Sequence, residues 1–556
     1  MNSRSTDKSI SLRLVVLVLT MFLGIIAIIG SNGGGGDGGG GSAPIIDDIT
    51  LFDNDAAAGL EVSINGELTF TDADGDLDGG SFNYNYAGME VSITLPSDLN
   101  GITAATVQFT MLAQLNDTVG EIIIPCWLLD SAGNRSNTFE ITFNQVWTRQ
   151  YGTVVADTGN AITRDINDNV IVTGSTMGDL DDEINHGGQD IFVTKFSPGA
   201  IKQWTKVFGS ADDDIATGVA ADNNANIYVT GYTNGTTFDG ETAPGGIEGV
   251  ADIFITKFDS SGNRVWTRLI GTPESDISNG IVIDPSDVIY IAGETTGDLY
   301  GTSAGSSDVF VVAYNSNASE PPLWSEQFGS SGSDFAKSIA LDSADGVFVA
   351  GGTEGVLGGE DPTPGDPVIN FDAFVARYNL SGVRSWTRQI GTSCNEWAEG
   401  VAGKGGNAYL TGAIYTCAIG SEPALGLYDA FLAGIDSSGI VQFTGQFGTG
   451  NHDRGLAVEI DSFNNIYIAG FIDSPYQTEG GDIMLYKFDS QGNHIWNITE
   501  GGPTNLADNA YAIMIDAINL VYLTGFTEGA LDGHTNAGGG SADIFIMRYD
   551  SDSIKR

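Results

Sequence analysis

The sequence predicts an all-β chain: a seven-bladed β-propeller, closed by an N-terminal strand, behind an immunoglobulin-like β-sandwich. Three observations carry that expectation. A unit of near-constant length recurs seven times, marked by Trp147, Trp204, Trp266, Trp324, Trp386, Phe443 and Trp496 at spacings of 57, 62, 58, 62, 57 and 53 residues. Each period holds four short apolar segments bounded by Gly, Asn, Asp and Ser, which favours a propeller over a solenoid. No stretch after residue 44 sustains a helical period.

The second copy shows the unit. Residues 214–222 (DIATGVAAD) read as strand A, 226–231 (NIYVTG) as B, 252–259 (DIFITKFD) as C and 264–269 (RVWTRL) as D. All are rich in β-branched and aromatic residues, as antiparallel strands are. Four residues after the acid opening strand A stands a small residue: Ala161, Gly218, Gly280, Ser338, Gly400, Ala457 or Ala512. Blades converge on an axis, so the innermost strand has least room. Strand B places Ile171, Tyr228, Tyr290, Phe348, Tyr409, Tyr467 or Tyr522 three residues before a Gly, large enough to fill the gaps between blades. The Trp stripe is equally regular and reads as packing, since a cofactor would not need one in every copy.

Strand counting predicts how the ring closes. The segment 146–151 is a strand D with no A, B or C before it, and the last copy supplies A, B and C without a D. Pairing the two leaves no open sheet edge.

Residues 44–145 show about seven short strands with turn signals, the pattern of an immunoglobulin-like sandwich. Within it, residues 69–82 (TFTDADGDLDGGSF) resemble loops of bacterial cadherin-like or dystroglycan-type modules. Two readings stand there: a polar Asp/Gly turn, or a calcium loop using Asp72, Asp74, Asp76 and Asp78 as oxygen ligands. It is not an EF-hand, because Leu77 and Asn83 occupy the positions that need Gly and Glu.

Arg4, Lys8 and Arg13 precede the apolar run 14–30, the layout of a signal peptide or of an uncleaved signal anchor. The junction resembles a lipoprotein processing site in which Ser31 replaces the lipid-bearing Cys, and the Gly-rich residues 31–43 form a flexible tether. Export to the cell surface, periplasm or medium is expected. Cys394, just before strand A of the fifth copy, and Cys417, just after its strand B, are expected to form a disulfide, with Cys126 a buried free thiol.

Two sets of acids recur at the same ends of their strands. Asp157, Asp214, Asp276, Asp334, Glu396, Asp453 and Asp508 open strand A; Asp190, Asp252, Asp308, Asp372, Asp429, Asp482 and Asp543 open strand C. Either each accepts backbone N–H bonds and fixes a loop of its own blade, or together they ring the channel mouth with negative field suited to cations or basic partners. The B–C loops of that face, such as 175–189, 232–251, 352–371 and 526–542, vary while the strands repeat, as binding loops do. Their Gly-x-Leu pieces read as turns.

Enzyme signatures are poor. His186, His452, His494 and His534 are scattered, so neither a metal triad nor a Ser-His-Asp set is evident, and the acids are too abundant for any pair to be informative. A formal charge of −50 argues against nucleic acid.

The segments DIFVTKFS, NIYVTGYT, DIFITKFDSSGNRVWTRLIGT and DAFVARYNLSGVRSWTRQIGT resemble the bacterial SBBP-type β-propeller repeat, over residues 146–550. The resemblance implies a secreted or surface-anchored propeller and carries no consensus catalytic residues. Two copies depart from it: Lys404 replaces the turn Asp after strand A, and Ala517–Ile518 stand where other hairpins are more polar. The expected work is recognition of a surface protein or polysaccharide through the loop-bearing face. The competing expectations are a hydrolase or lyase of extracellular polysaccharide, and a passive envelope component.

Overall fold

The computed structural model describes residues 43–555, apart from 52–54, 58–60, 74–76, 78–79, 87–88, 96–103, 115–119, 343–344, 358–369, 420–423, 474–480, 502–505, 533, 535 and 540. The export segment 14–30 and nearly all of the 31–43 tether lie outside them. Among the described residues every regular element is a strand, and no helix is long and apolar enough to cross a membrane. The chain divides into two compact units, 1–145 and 146–556, with 117–119 assigned to the second.

The described residues of the first unit form eight strands, against the seven or so expected. A three-stranded sheet pairs Ile45–Leu51, Glu61–Thr71 and Ala104–Gln114. A five-stranded sheet runs in the order Asp55–Ala57, Phe139–Val146, Gly120–Leu129, Ser81–Tyr86, Met89–Thr94. Alternate residues point inward, so Leu68 and Phe70 are buried, as are Ile124, Cys126 and Leu128. The Asn137 amide takes the N–H of Ile46 at 2.7 Å and donates to its C=O at 3.0 Å, fixing the first strand to the turn before the last.

The second unit repeats one four-stranded antiparallel meander. The first comprises Asp157–Arg164 (A), Val170–Thr176 (B), Asp190–Phe196 (C) and Lys202–Phe208 (D). The same order recurs from Asp214, Asp276, Asp334, Glu396 and Asp453. In the seventh, Asp508–Ile515, Val521–Thr527 and Asp543–Tyr549 are completed by Arg149–Tyr151, which pairs Gln150 with Phe545. B strands are buried along almost their whole length because a neighbouring meander covers each face. Each apolar cluster therefore spans two meanders: Tyr228 and Ile253 pack with Ile281, Ile291 and Phe310. One cluster joins Tyr522, Ile544 and Ile546 of the seventh to Val172 and Phe192 of the first around the fully buried Trp147.

Polar bonds cross the same seams. Nε1 of Trp147, Trp324, Trp386 and Trp496 donates to Pro198, Leu380, Ser437 and Ser551, each in the turn that follows strand C of the next meander. A–B turns are set by an Asp carboxylate accepting the N–H groups two and four residues on, as Asp222 does from Asn224 and Asn226. Lys404 departs from this for a structural reason. Its hairpin turns through Gly405 and Gly406, both at positive φ, so the Asp has no turn to hold.

Residues 146–153 supply both the closing strand and Trp147, whose loss alone costs about 3–5 kcal/mol. Their deletion is expected to lower the calorimetric unfolding midpoint of the whole second unit; an unchanged midpoint would refute closure through this strand.

Candidate functional site

Thirteen of the fourteen strand-opening acids are buried and Asp482 is half-buried, so they present no solvent-facing ring. That corrects the reading of a negatively charged channel mouth. Register explains their common level: Asp157 pairs with Thr176, which in turn pairs with Asp190. Six strand A acids, Asp157 to Asp453, accept the N–H four residues earlier, as in Thr272 to Asp276 at 2.6 Å and Thr392 to Glu396 at 2.9 Å, and so hold the D–A loop. A strand B threonine adds a hydroxyl bond at Asp157, Asp276 and Asp508. In the fifth and sixth meanders Ile414 and Ile472 take that place.

The strand C acid lies beside the strand A acid of the next meander. Each such pair repels, as Asp252 does with Asp276 and Asp190 with Asp214. Between the two carboxylates sits a glycine: Gly152, Gly209, Gly271, Gly329 or Gly501. A side-chain carbon at any of them would overlap a carboxylate oxygen, Asp252 Oδ1 in the case of Gly271. Burial, with this repulsion added, pushes Asp214 and Asp453 up to about 6 and Asp252 and Glu396 up to about 7.

A device that the sequence reading missed secures the variable loops. Gln150, Gln327, Gln389 and Gln446, on D strands, donate to the strand C acids Asp543, Asp308, Asp372 and Asp429. Their amides also pair with the B–C loop. Gln389 donates to Gly355 O at 2.8 Å and accepts from Leu357 N at 2.7 Å; Gln150 treats Gly529 and Leu531 alike. The Gly-x-Leu pieces are therefore anchors and not simple turns, with Leu180, Leu357 and Leu531 buried. The signal was a Gln two residues before Gly in four D strands.

The A strands of all seven meanders line a central cavity of 770 Å³. Every A strand carries a β-bulge three residues after its acid, and the bulged residues all face the cavity: Asn160, Thr217, Asn279, Lys337, Glu399, Leu456 and Tyr511. This position does not repeat in sequence. Asn160, Thr217 and Asn279 donate to the next A strand at Ala216, Ser278 and Ala336. On the other side Lys337 lies 3.7 Å from Glu294, and Trp397 Nε1 donates to Glu399 at 2.6 Å.

Beside that side is a cluster with no counterpart among the described residues of the other meanders. The Arg454 guanidinium sits 4.8 Å from the Tyr428 ring centre and 5.4 Å from that of Trp397. Tyr428 also meets Tyr415 at 4.9 Å and His452 at 5.3 Å. Among the described residues no carboxylate lies within ion-pair distance of Arg454. Cys394 and Cys417 are disulfide-bonded next to this cluster, with Cα atoms 6.1 Å apart. Tyr415, Leu425 and Leu427 are exposed there.

The remaining candidates are separate. Asp72 is buried, while Asp74, Asp76 and Asp78 lie outside the described residues. Among the described residues no three His, Cys, Asp or Glu side chains gather as a metal site. Cys126 is buried, and burial pushes its thiol up to about 12. His186 meets Asp190, His494 meets Tyr486 and Phe488, and His534 meets Thr148 O, so the four histidines share no centre.

Two outcomes follow from the carboxylate seams. Gly271→Ala is expected to cost about 1–3 kcal/mol in urea unfolding, the range for overpacking; an unperturbed midpoint would show that the seam yields. An acid whose folded pKa is raised stabilises fully below its unfolded value near 4 and loses that contribution as pH rises through the folded value. The unfolding midpoint should therefore fall between about pH 4 and about pH 8, and the fall should persist in about 1 M salt, which screens surface charge. A midpoint flat across that window would contradict the buried-acid account.

Residues 146–181, 203–239 and 265–301 match the SBBP β-propeller repeat. An uncharacterised WD repeat-containing protein of Acanthamoeba polyphaga mimivirus is 24% identical over 409 residues, 69% of this chain and 26% of that protein. The regulatory protein FlaEY of Caulobacter vibrioides is 24% identical over 239 residues, 38% of this chain and 24% of that one. The alignments thus span about a quarter of each relative's own length. Among solved structures, YCF48 bound to D1 peptide is 10% identical with a TM-score of 0.37, covering 74% of this chain and 96% of that one. The chain carries β-propeller repeats.

Proposed function

We propose that this is an exported surface protein whose meanders are the blades of a seven-bladed propeller, preceded by an immunoglobulin-like module and held by the N-terminal tether. In this reading it is a binding protein, and its ligand is a surface protein or polysaccharide taken at the cavity mouth. One observation carries the proposal: Trp397, Tyr415, Tyr428, His452 and Arg454 gather at one place on an otherwise repeating rim. Trp, Tyr and Arg are the residues that most often dominate binding energy. Their faces suit sugar rings or extended peptide, and an unpaired guanidinium suits a carboxylate on either.

The test is a screen of the mature chain against glycans and envelope proteins, with and without calcium. For a ligand so found, Trp397→Ala and Arg454→Ala should each weaken binding by at least about tenfold, the effect of 1.4 kcal/mol, with unfolding unchanged. Equal affinity in both variants would move the site elsewhere. Cleavage of a polymer during the screen would replace binding by catalysis.

A further inference from the structure

At three positions that carry a lysine or arginine in several other meanders, the seam between the fifth and sixth meanders carries none. At strand C, five residues after its acid, the meanders carry Lys195, Lys257, Ala313, Arg377, Gly434, Lys487 and Arg548 in order. Four of these cations lie over an aromatic ring of their own meander, as Lys257 does 4.7 Å from Tyr228. Gly434 leaves Tyr409 without one. At strand D, Trp386 Nε1 donates to Ser437 O at 3.1 Å and Arg388 Nε to Gly439 O at 2.7 Å. Trp147 and Arg149 make the same two bonds to Pro198 and Ala200. The fifth meander has Phe443 and Gly445 at those positions, and among the described residues no side chain donates to the corresponding carbonyls of Ser490 and Gly492.

A third cation is missing at the same place. Lys202, Arg264 and Arg384 each reach back over the last aromatic ring of the preceding D strand, 5.2, 5.7 and 4.4 Å from Tyr151, Phe208 and Phe328. Phe447 is the equivalent ring, and His494 stands where the cation would be. It turns instead to Tyr486 and Phe488. The vacated space is a groove of 510 Å³ along Phe443, Phe447, Tyr486 and Phe488, joined past Phe443 and Gln491 to a second of 440 Å³ that reaches Tyr409 and Asp436. A side chain on Gly445 would meet nothing within 4 Å.

We propose that this groove receives an arginine side chain from a basic protein partner, which replaces the missing intramolecular guanidinium. Its planar face lies on the aromatic wall, and its N–H groups reach the turn carbonyls that Arg388 and Arg149 use elsewhere. No lysine or arginine lines either groove, and Asp436 adds a carboxylate to the wall of the second. The site is independent of the Arg454 cluster.

The probe is a capped Gly-Arg-Gly peptide, with its citrulline counterpart as the uncharged control, titrated calorimetrically into the full chain. Saturable one-to-one binding of the arginine peptide is expected, at least tenfold tighter than the citrulline peptide. Gly445→Arg places there the residue that Arg149, Arg268 and Arg388 supply in three other copies, and should abolish binding while melting no lower than the parent. Phe447→Leu should weaken binding at least threefold, and it serves as the second variant should the first fail to fold. Arg454→Ala should leave the titration unchanged, which separates this site from the cavity-mouth site. Absence of binding, equal binding of citrulline, or equal binding by the folded Gly445→Arg chain would overturn the proposal. The last result would mean diffuse attraction to an acidic surface.

Discussion

A carboxylate buried at the head of every A strand is the constraint around which the ring is arranged. It is tolerated because backbone N–H groups, and in most meanders a threonine hydroxyl, replace water around it. The same bond ties down the loop arriving from strand D. That loop must pass between this acid and the strand C acid of the preceding meander, and only glycine leaves room for both. The strand C acid in turn orients a glutamine, and the glutamine anchors the variable B–C loop. Loop position, glycine placement and meander spacing thus share one electrostatic cause.

Departures from the repeat gather in one meander. The fifth uses Glu396 for Asp, Ile414 for Thr, a Gly-Gly hairpin for the Asx turn, and Gly434, Phe443 and Gly445 for its seam donors. Repeat assemblies are held by nearest-neighbour interfaces, so one weak seam is a local cost. Closure through Arg149–Tyr151 keeps that seam from becoming an end. The Cys394–Cys417 bond spans 23 residues in the same meander and offsets part of the loss, by roughly 3 kcal/mol on a chain-entropy account. What the fifth meander loses in uniformity it gains as two places where its surface differs from every other.

Much of this architecture was legible in the sequence because packing repeats. The small residue four after each acid, the large residue in strand B and the orphan Trp147 segment all answer steric demands that recur in every copy, and recurrence exposes them. The bulge was invisible for the opposite reason. Asn160, Thr217, Asn279, Lys337, Glu399, Leu456 and Tyr511 share a backbone geometry and no side-chain chemistry, so no pattern marks them. The acids were visible but ambiguous. Spacing shows that Asp157 or Asp429 opens a strand, yet exposure decides between a field and a clamp, and exposure depends on the loop folding over it. The Arg454 cluster required tertiary structure, since Trp397, Tyr428 and Arg454 come from three strands of two meanders.

The chain's charge is consequently a poor guide to its ligand. Acids head both A and C strands in every meander, and more of them form the A–B and C–D turns, so a large share of the 72 acidic residues performs the same structural task in each copy. Their negative charge follows from building a ring on carboxylate clamps and would be present whatever the ring bound. The 22 basic residues are the informative minority. Many sit on an aromatic ring or a buried carboxylate at a seam, as Lys195 does on Asp165 at 2.8 Å. Against that background two departures stand out: Arg454, a cation on aromatic faces with no carboxylate in ion-pair distance among the described residues, and the fifth seam, a set of aromatic faces and carbonyls with no lysine or arginine. On the binding function proposed here, selectivity in so acidic a molecule resides where its sparse positive charge is left over and where it is missing.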